Sequence, residues 1–286
     1  MSAAALRAGR TRAARRPGTL TVWRWELRKL RSQKRTYLGL GLSMVFPLIL
    51  VLSFHFQHPR HQGNIFATYV TQSGLATPVL CLFWQSAFLY PLIAALVAGD
   101  IVAAEDGHGT LKTILTRSVD RTQVLAGKLL AVATYTVVAM YLSAATATVA
   151  GVASWGFRRV ITFSGSTVSA PKGLLLVFAA YGVYLIPLLA LASIGVLLSA
   201  ATRNSAAAVV GTLAVPLVMA LVSLIPGLGG ANPYLLPTEF NNWQGLLRTP
   251  TDWAPIGHSA WVCALYAVPA LGAAALVFLR RDVAGG

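Results

Sequence analysis

Long, nearly uncharged hydrocarbon runs dominate the sequence, at about 36–54, 75–99, 129–155, 173–201, 205–225 and 261–279, and short charged or glycine- and proline-rich breaks separate them. Each run approaches or exceeds the roughly 20 apolar residues that a helix needs to cross a hydrocarbon core about 30 Å thick. The runs are continuous, not alternating, which excludes the strands of a membrane barrel. In lipid, helices then satisfy every backbone group within the segment. The pattern predicts an all-α membrane protein with six transmembrane helices.

The breaks carry their own signals. Residues 1–20 form an Ala/Arg-rich stretch ending at Pro17-Gly18, read as a disordered basic tail before a single membrane domain over 21–286. From Thr21 to Arg31, Val22, Trp23, Leu27 and Leu30 fall on one side of a helical wheel and Arg24, Arg28 and Arg31 on the other, with Trp25 off the stripe. That is the pattern of a helix lying in the membrane interface. The second run ends in acid at Asp100, Glu105 and Asp106. Gly107 and Gly109 then permit a sharp turn, and Leu111, Ile114 and Leu115 share one face of a short amphipathic helix. Asp120 and Gln123 resemble a capping pair opening the third span.

Within the third span, Ala139, Ser143, Ala147 and Gly151 recur every four residues, a spacing that lets helices approach closely inside the bundle or across a dimer. The four residues 201–204 make the fourth and fifth spans antiparallel neighbours. The fifth span contains Pro216 and stops at Pro226-Gly227-Leu228-Gly229-Gly230. About 35 residues follow before the sixth span, punctuated by Pro233, Pro237, Pro250 and Pro255, with Phe240, Trp243 and Leu247 at helical spacing. This is expected to be a broken segment lying in or dipping into the outer interface.

Composition sharpens the picture: 56% of residues are hydrophobic and 11% charged, against roughly a quarter charged in soluble domains. The net charge of +15 reads as topology before any affinity for nucleic acid. With the N-terminus inside, eighteen of the 23 Lys and Arg fall in cytoplasmic segments and five in outer ones, which puts both termini in the cytoplasm. Basic residues near anionic headgroups contribute about 1 kcal/mol each, enough to hold the tail against the inner leaflet. Cys81 and Cys263 are too few for a disulfide framework and read as packing thiols. His55, His58 and His61 follow the first span, but Pro59 interrupts any helix that would align them and no carboxylate or thiol is near in sequence. They read as an outer interfacial loop, not a metal site.

No phosphate-cradling GxxxxGK[ST] loop occurs, so energy must come from a partner or from an ion gradient. Gradient-driven carriers usually place ionisable residues at membrane depth, and the second to fifth runs contain none. That weighs against a secondary carrier, the first alternative. An intramembrane enzyme, the second, needs a nucleophile with a base or paired carboxylates. His108 beside Glu105 and Asp106 is the one acid–base cluster in the sequence, on a glycine-flanked turn.

Taken together, these residues resemble the permease subunits of type-2 ABC exporters over nearly the whole chain. The resemblance is carried by Glu105, Gly109-Thr110-Leu111, Arg117, Arg121 and Lys128: in that family a glutamate ends the second span, followed by Gly-Thr-Leu, a short helix, two arginines and a lysine opening the third span. Ser118 follows Arg117 where many members carry proline. Resemblance implies that Glu105 to Lys128, with Ile114 and Leu115, forms a cytoplasmic coupling helix seated on a separate ATPase subunit. It also implies a homodimer or a paralogous permease pair in the cell membrane, and an exported apolar or amphiphilic substrate such as a drug, antibiotic, peptide or lipid. ATP and magnesium would be handled by the partner subunit, with no cofactor, metal or catalytic residue of this chain's own. The family's route, lined by the first, second and fifth spans, makes Trp84, Gln85 and Phe88 candidates to line it.

Overall fold

The computed structural model describes residues 18–56, 65–107 and 120–280. These residues are overwhelmingly helical. Five helices are long and apolar enough to cross a membrane: α2 (Lys34–Phe56), α7 (Arg121–Trp155), α8 (Ala170–Thr202), α9 (Ser205–Val222) and α11 (Ala254–Leu279). A bent pair, α4 (Ala76–Ser86) and α5 (Leu89–Ala98), supplies a sixth candidate crossing. Shorter elements complete the set: α1 (Thr19–Arg31), α3 (Ile65–Gln72), α6 (Ala103–Gly107) and α10 (Leu236–Glu239), with 3-10 turns at Gly229–Tyr234 and Asn242–Leu247.

The second span departs from the continuous helix expected over 75–99. Its halves meet at 61° across residues 87 and 88, where Phe88 leaves helical geometry with φ −141° and ψ −50°. Pro91 explains the break, because its ring clashes with the carbonyl four residues earlier and it has no N–H to give. The exposed backbone is satisfied from α8: the Tyr184 hydroxyl donates to the Ser86 carbonyl at 2.7 Å. Beside the elbow, Tyr90 and Gln85 both donate to Ser143 of α7, at 2.9 and 3.3 Å, and Tyr181 donates to the Pro78 carbonyl at 3.0 Å.

The stripe of small residues on α7 packs within the protomer. Ala139, Ser143, Ala147 and Gly151 are all buried, and a Cβ on Gly151 would collide with the Gly74 carbonyl and the Thr77 side chain. This stripe therefore seats the second span on the third. Asp120 holds the N-cap position of α7, but its side chain makes no capping hydrogen bond, so the expected capping pair with Gln123 is not formed there. Gly156, at φ 81°, ends the helix.

A small antiparallel hairpin, absent from the sequence reading, follows α7: Val160 pairs with Val168 and Ile161 with Thr167. Two-residue strands are too short to leave a periodic signal. The hairpin ties the far end of the bundle together. The Tyr69 hydroxyl of α3 donates to the Ile161 carbonyl at 3.0 Å, and the Phe163 N–H reaches the Leu247 carbonyl at 2.9 Å. Phe240, Trp243 and Leu247, set at helical spacing in the sequence, are buried, so the broken segment between α9 and α11 turns an apolar side inward. Cys81 and Cys263 are both buried and unpaired.

At the other end of the bundle, Arg203 adopts a left-handed φ of 56° in the turn between α8 and α9. Asn204 then caps α9 by accepting from the Ala207 N–H at 3.1 Å.

Candidate functional site

The end of the bundle where α6 lies is a buried cluster of charge. Leaving α5, the chain passes so close to α9 that a Cβ on Gly99 would strike the Val209 amide. Asp100, 5% exposed, then pairs with Arg35 at the start of α2 and accepts from Ser205 at the start of α9. Ser199 of α8 accepts from the Val102 and Ala103 amides at 3.1 and 2.9 Å. The chain thus enters α6 fastened to three other spans.

On α6, Glu105 is 2% exposed. Its Oε1 takes the Lys29 ammonium of α1 at 2.5 Å. Its Oε2 lies 2.7 Å from Lys128 of α7, at ion-pair distance but off the direction of a good hydrogen bond. Lys128 is fully buried; its ammonium also donates to Glu26 Oε1 and to the Ile101 carbonyl, both at 2.9 Å. Two acceptors and the Glu105 carboxylate thus surround the ammonium. Among the described residues, two lysines stand against two glutamates, the balance under which charges survive burial. Burial pushes the Glu105 carboxyl up, yet the Lys128 and Lys29 ammonium groups outweigh it and hold the carboxyl below its ordinary value.

Helix α1 is pinned by the same cluster. Val22, Glu26 and Leu30, one helical turn apart, are its buried residues. Gly127 allows the approach, since a Cβ there would press on Val22 and the Trp23 amide. Trp23 donates from Nε1 to Thr134 Oγ1 at 3.1 Å, and Trp23 and Leu27 pack against the core. The stripe expected to face headgroups is therefore covered in part by α7.

Of the residues singled out by sequence, Glu105 and Lys128 meet directly. Arg121 stands elsewhere, donating from Nη1 to the Leu279 carbonyl at 2.9 Å and so joining the start of α7 to the end of α11. Gly109, Thr110, Leu111, Ile114, Leu115 and Arg117 lie outside the described residues, as do His58, His61 and His108. Among the described residues no three His, Cys, Asp or Glu side chains converge as metal ligands would. Sequence reasoning missed Glu26, Lys29, Arg35 and Asp100 as members of the cluster. Glu26 did leave a signal: it is the lone acid of a basic helix, placed at i+4 from Val22 and i−4 from Leu30 on the apolar stripe.

A second feature is an apolar cavity of about 610 Å³ between the elbow of the second span, α9 and the segment at α10. Trp84 and Phe88 line it with Phe83, Leu217 and Phe240. Gln85 is turned the other way, into α7.

A polytopic helical bundle with a charge-clamped connection after its second span and an open apolar cavity along it has an architecture suited to a membrane transport subunit. A family model described as "ABC-2 family transporter protein" matches residues 23–227, and the chain belongs to that family. One curated relative, the probable ABC transporter permease protein NosY of Pseudomonas aeruginosa, is 33% identical over 109 residues. The match spans 38% of this chain and 38% of the relative's length.

Proposed function

We propose that this chain is the permease subunit of an ATP-driven exporter, moving an apolar or amphiphilic substrate and worked by a separate ATPase that grips the segment after the second span. Family membership supports a transport subunit, and the printed name of the relative supports a permease that works with an ABC ATPase. The observation that carries the coupling role is the clamp of Glu105 by Lys29 and Lys128. A force applied to residues 108–119 enters the bundle through this buried cluster, so it reaches α1, α6 and α7 together.

The distribution of basic residues supports placing this end in the cytoplasm with both termini; on that orientation the hairpin and the α10 segment face outward. The cavity beside Trp84 and Phe88 suits the substrate's apolar part. Pairing with a second copy or a paralogue, each with its ATPase, completes the transporter, and ATP and magnesium belong to that partner.

Co-purification from native membranes tests the reading. Leu111→Asp and Leu115→Asp should each lose an associated ABC ATPase while the permease still inserts. Undiminished association in both variants would overturn the coupling role.

A further inference from the structure

Far from the charge cluster, a second carboxylate is buried with no lysine or arginine beside it among the described residues. The Glu239 side chain, at the end of α10, has no exposed surface. Asn242 donates to its Oε2 at 2.6 Å, and His258 Nδ1 of α11 lies 3.1 Å from its Oε1. Among the described residues, the surroundings offer no fixed positive charge. From α11, Cys263 and Tyr266 are within its electrostatic reach, and the Tyr234 and Trp261 rings flank His258 at 5.9 and 5.4 Å. Helix α9 carries no titratable side chain. On α8 the residue facing this segment is Tyr184, whose ring packs on Phe240; Lys172 is twelve residues away, roughly 18 Å along a helix. Arg248 is engaged by Asp252 at 3.6 Å.

An ionised carboxylate in such a site is costly unless a cation joins it, and the imidazole is the group that can become one. With one added proton the pair is neutral overall, whichever partner holds it; without that proton it is a buried net negative charge. His258 is 31% exposed, so the proton exchanges with water through the imidazole while the carboxylate stays sealed. The placement gives this consequence. Pro237, Phe240 and Asn241, on either side of Glu239, line the apolar cavity, so α10 is a roof over it, fastened to α11 through this pair.

We infer that Glu239 and His258 form a proton-binding site, and that a proton taken from the external medium fastens the α10 roof over the cavity. Uptake from the external side rests on the orientation proposed above; the proton site itself does not. Hydrogen exchange of residues 236–247, corrected for intrinsic rates, in the full-length protein in nanodiscs between pH 5 and 9 tests it. Wild-type exchange should rise at least tenfold as the proton is lost. Glu239→Gln, which keeps the shape and removes the buried carboxylate, should abolish the rise toward alkaline pH and stay protected there. His258→Gln, which leaves the carboxyl to hold the proton itself, should move the step toward acid. A flat wild-type profile, or a step unchanged in both variants, would overturn the proposal. In oriented vesicles the step should follow external pH. A step following internal pH would leave the proton site standing and reverse the orientation.

Discussion

Lys128 and Glu105, 23 residues apart in the chain, meet at 2.7 Å inside the bundle. Lys128 has no exposed surface and also carries Glu26. Removing one partner of a buried ion pair typically costs about 3–5 kcal/mol, because the charge left behind is uncompensated. Lys128→Met should lower the thermal stability of the purified protein accordingly. Adding Glu105→Gln and Glu26→Gln to Lys128→Met should recover much of the loss; a triple variant no more stable than the single one would contradict the electrostatic account.

The same carboxyl gives an acid limb to stability. Its folded-state titration is held below the ordinary carboxylate value of 4.5, so its contribution is complete above that value and is lost as pH falls through the folded one. Melting temperature between pH 7 and 3 should hold steady and then fall below about pH 4.5. In Glu105→Gln the fall should be smaller. Identical acid limbs in the two proteins would show that Glu105 is not the group responsible.

Gly151 sets how closely the second and third spans approach. Gly151→Ala places a methyl group against the Gly74 carbonyl, backbone that cannot swing aside, and overpacking of this kind typically costs about 1–3 kcal/mol. Gly272→Ala, in a helix where the added carbon meets nothing within 4 Å, is the control and should be neutral or slightly stabilising. Comparable melting shifts in the two variants would count against close packing at Gly151.

Tyr184→Phe leaves the Ser86 carbonyl at the elbow without its donor. A buried acceptor left unsatisfied costs about 1–3 kcal/mol. The variant should melt earlier, and hydrogen exchange should rise locally at 86–92, not throughout the bundle. Unchanged exchange in that stretch would mean that the elbow is held by other contacts.

Much of this fold was legible in the chain. Hydropathy finds the spans because length and apolarity are local properties, and the turn at 201–204 left no room for anything but antiparallel neighbours. The elbow was harder. Pro91 stood in view, yet proline is common in membrane helices and bends them by amounts that depend on what neighbouring helices can satisfy; here the donor is Tyr184, 98 residues after Ser86. The charge cluster was half visible. Glu105 and Lys128 stood out through a pattern of known meaning, whereas Glu26 and Lys29 join them across 102 and 76 residues, and Glu239 finds His258 across 19. Such pairings depend on how each helix is rotated, which a count of apolar residues does not fix.

The elbow also divides the second span between neighbours. Its first half, α4, is seated chiefly on α7, while α5 rests chiefly on α8 and touches α7 and α9 as well. If the proposed ATPase pushes on Glu105, the force meets a span already bent by 61° at its middle, not a straight rod. Under the coupling proposed above, the expected stroke is a swing at the wall formed by Trp84, Phe88 and Leu217.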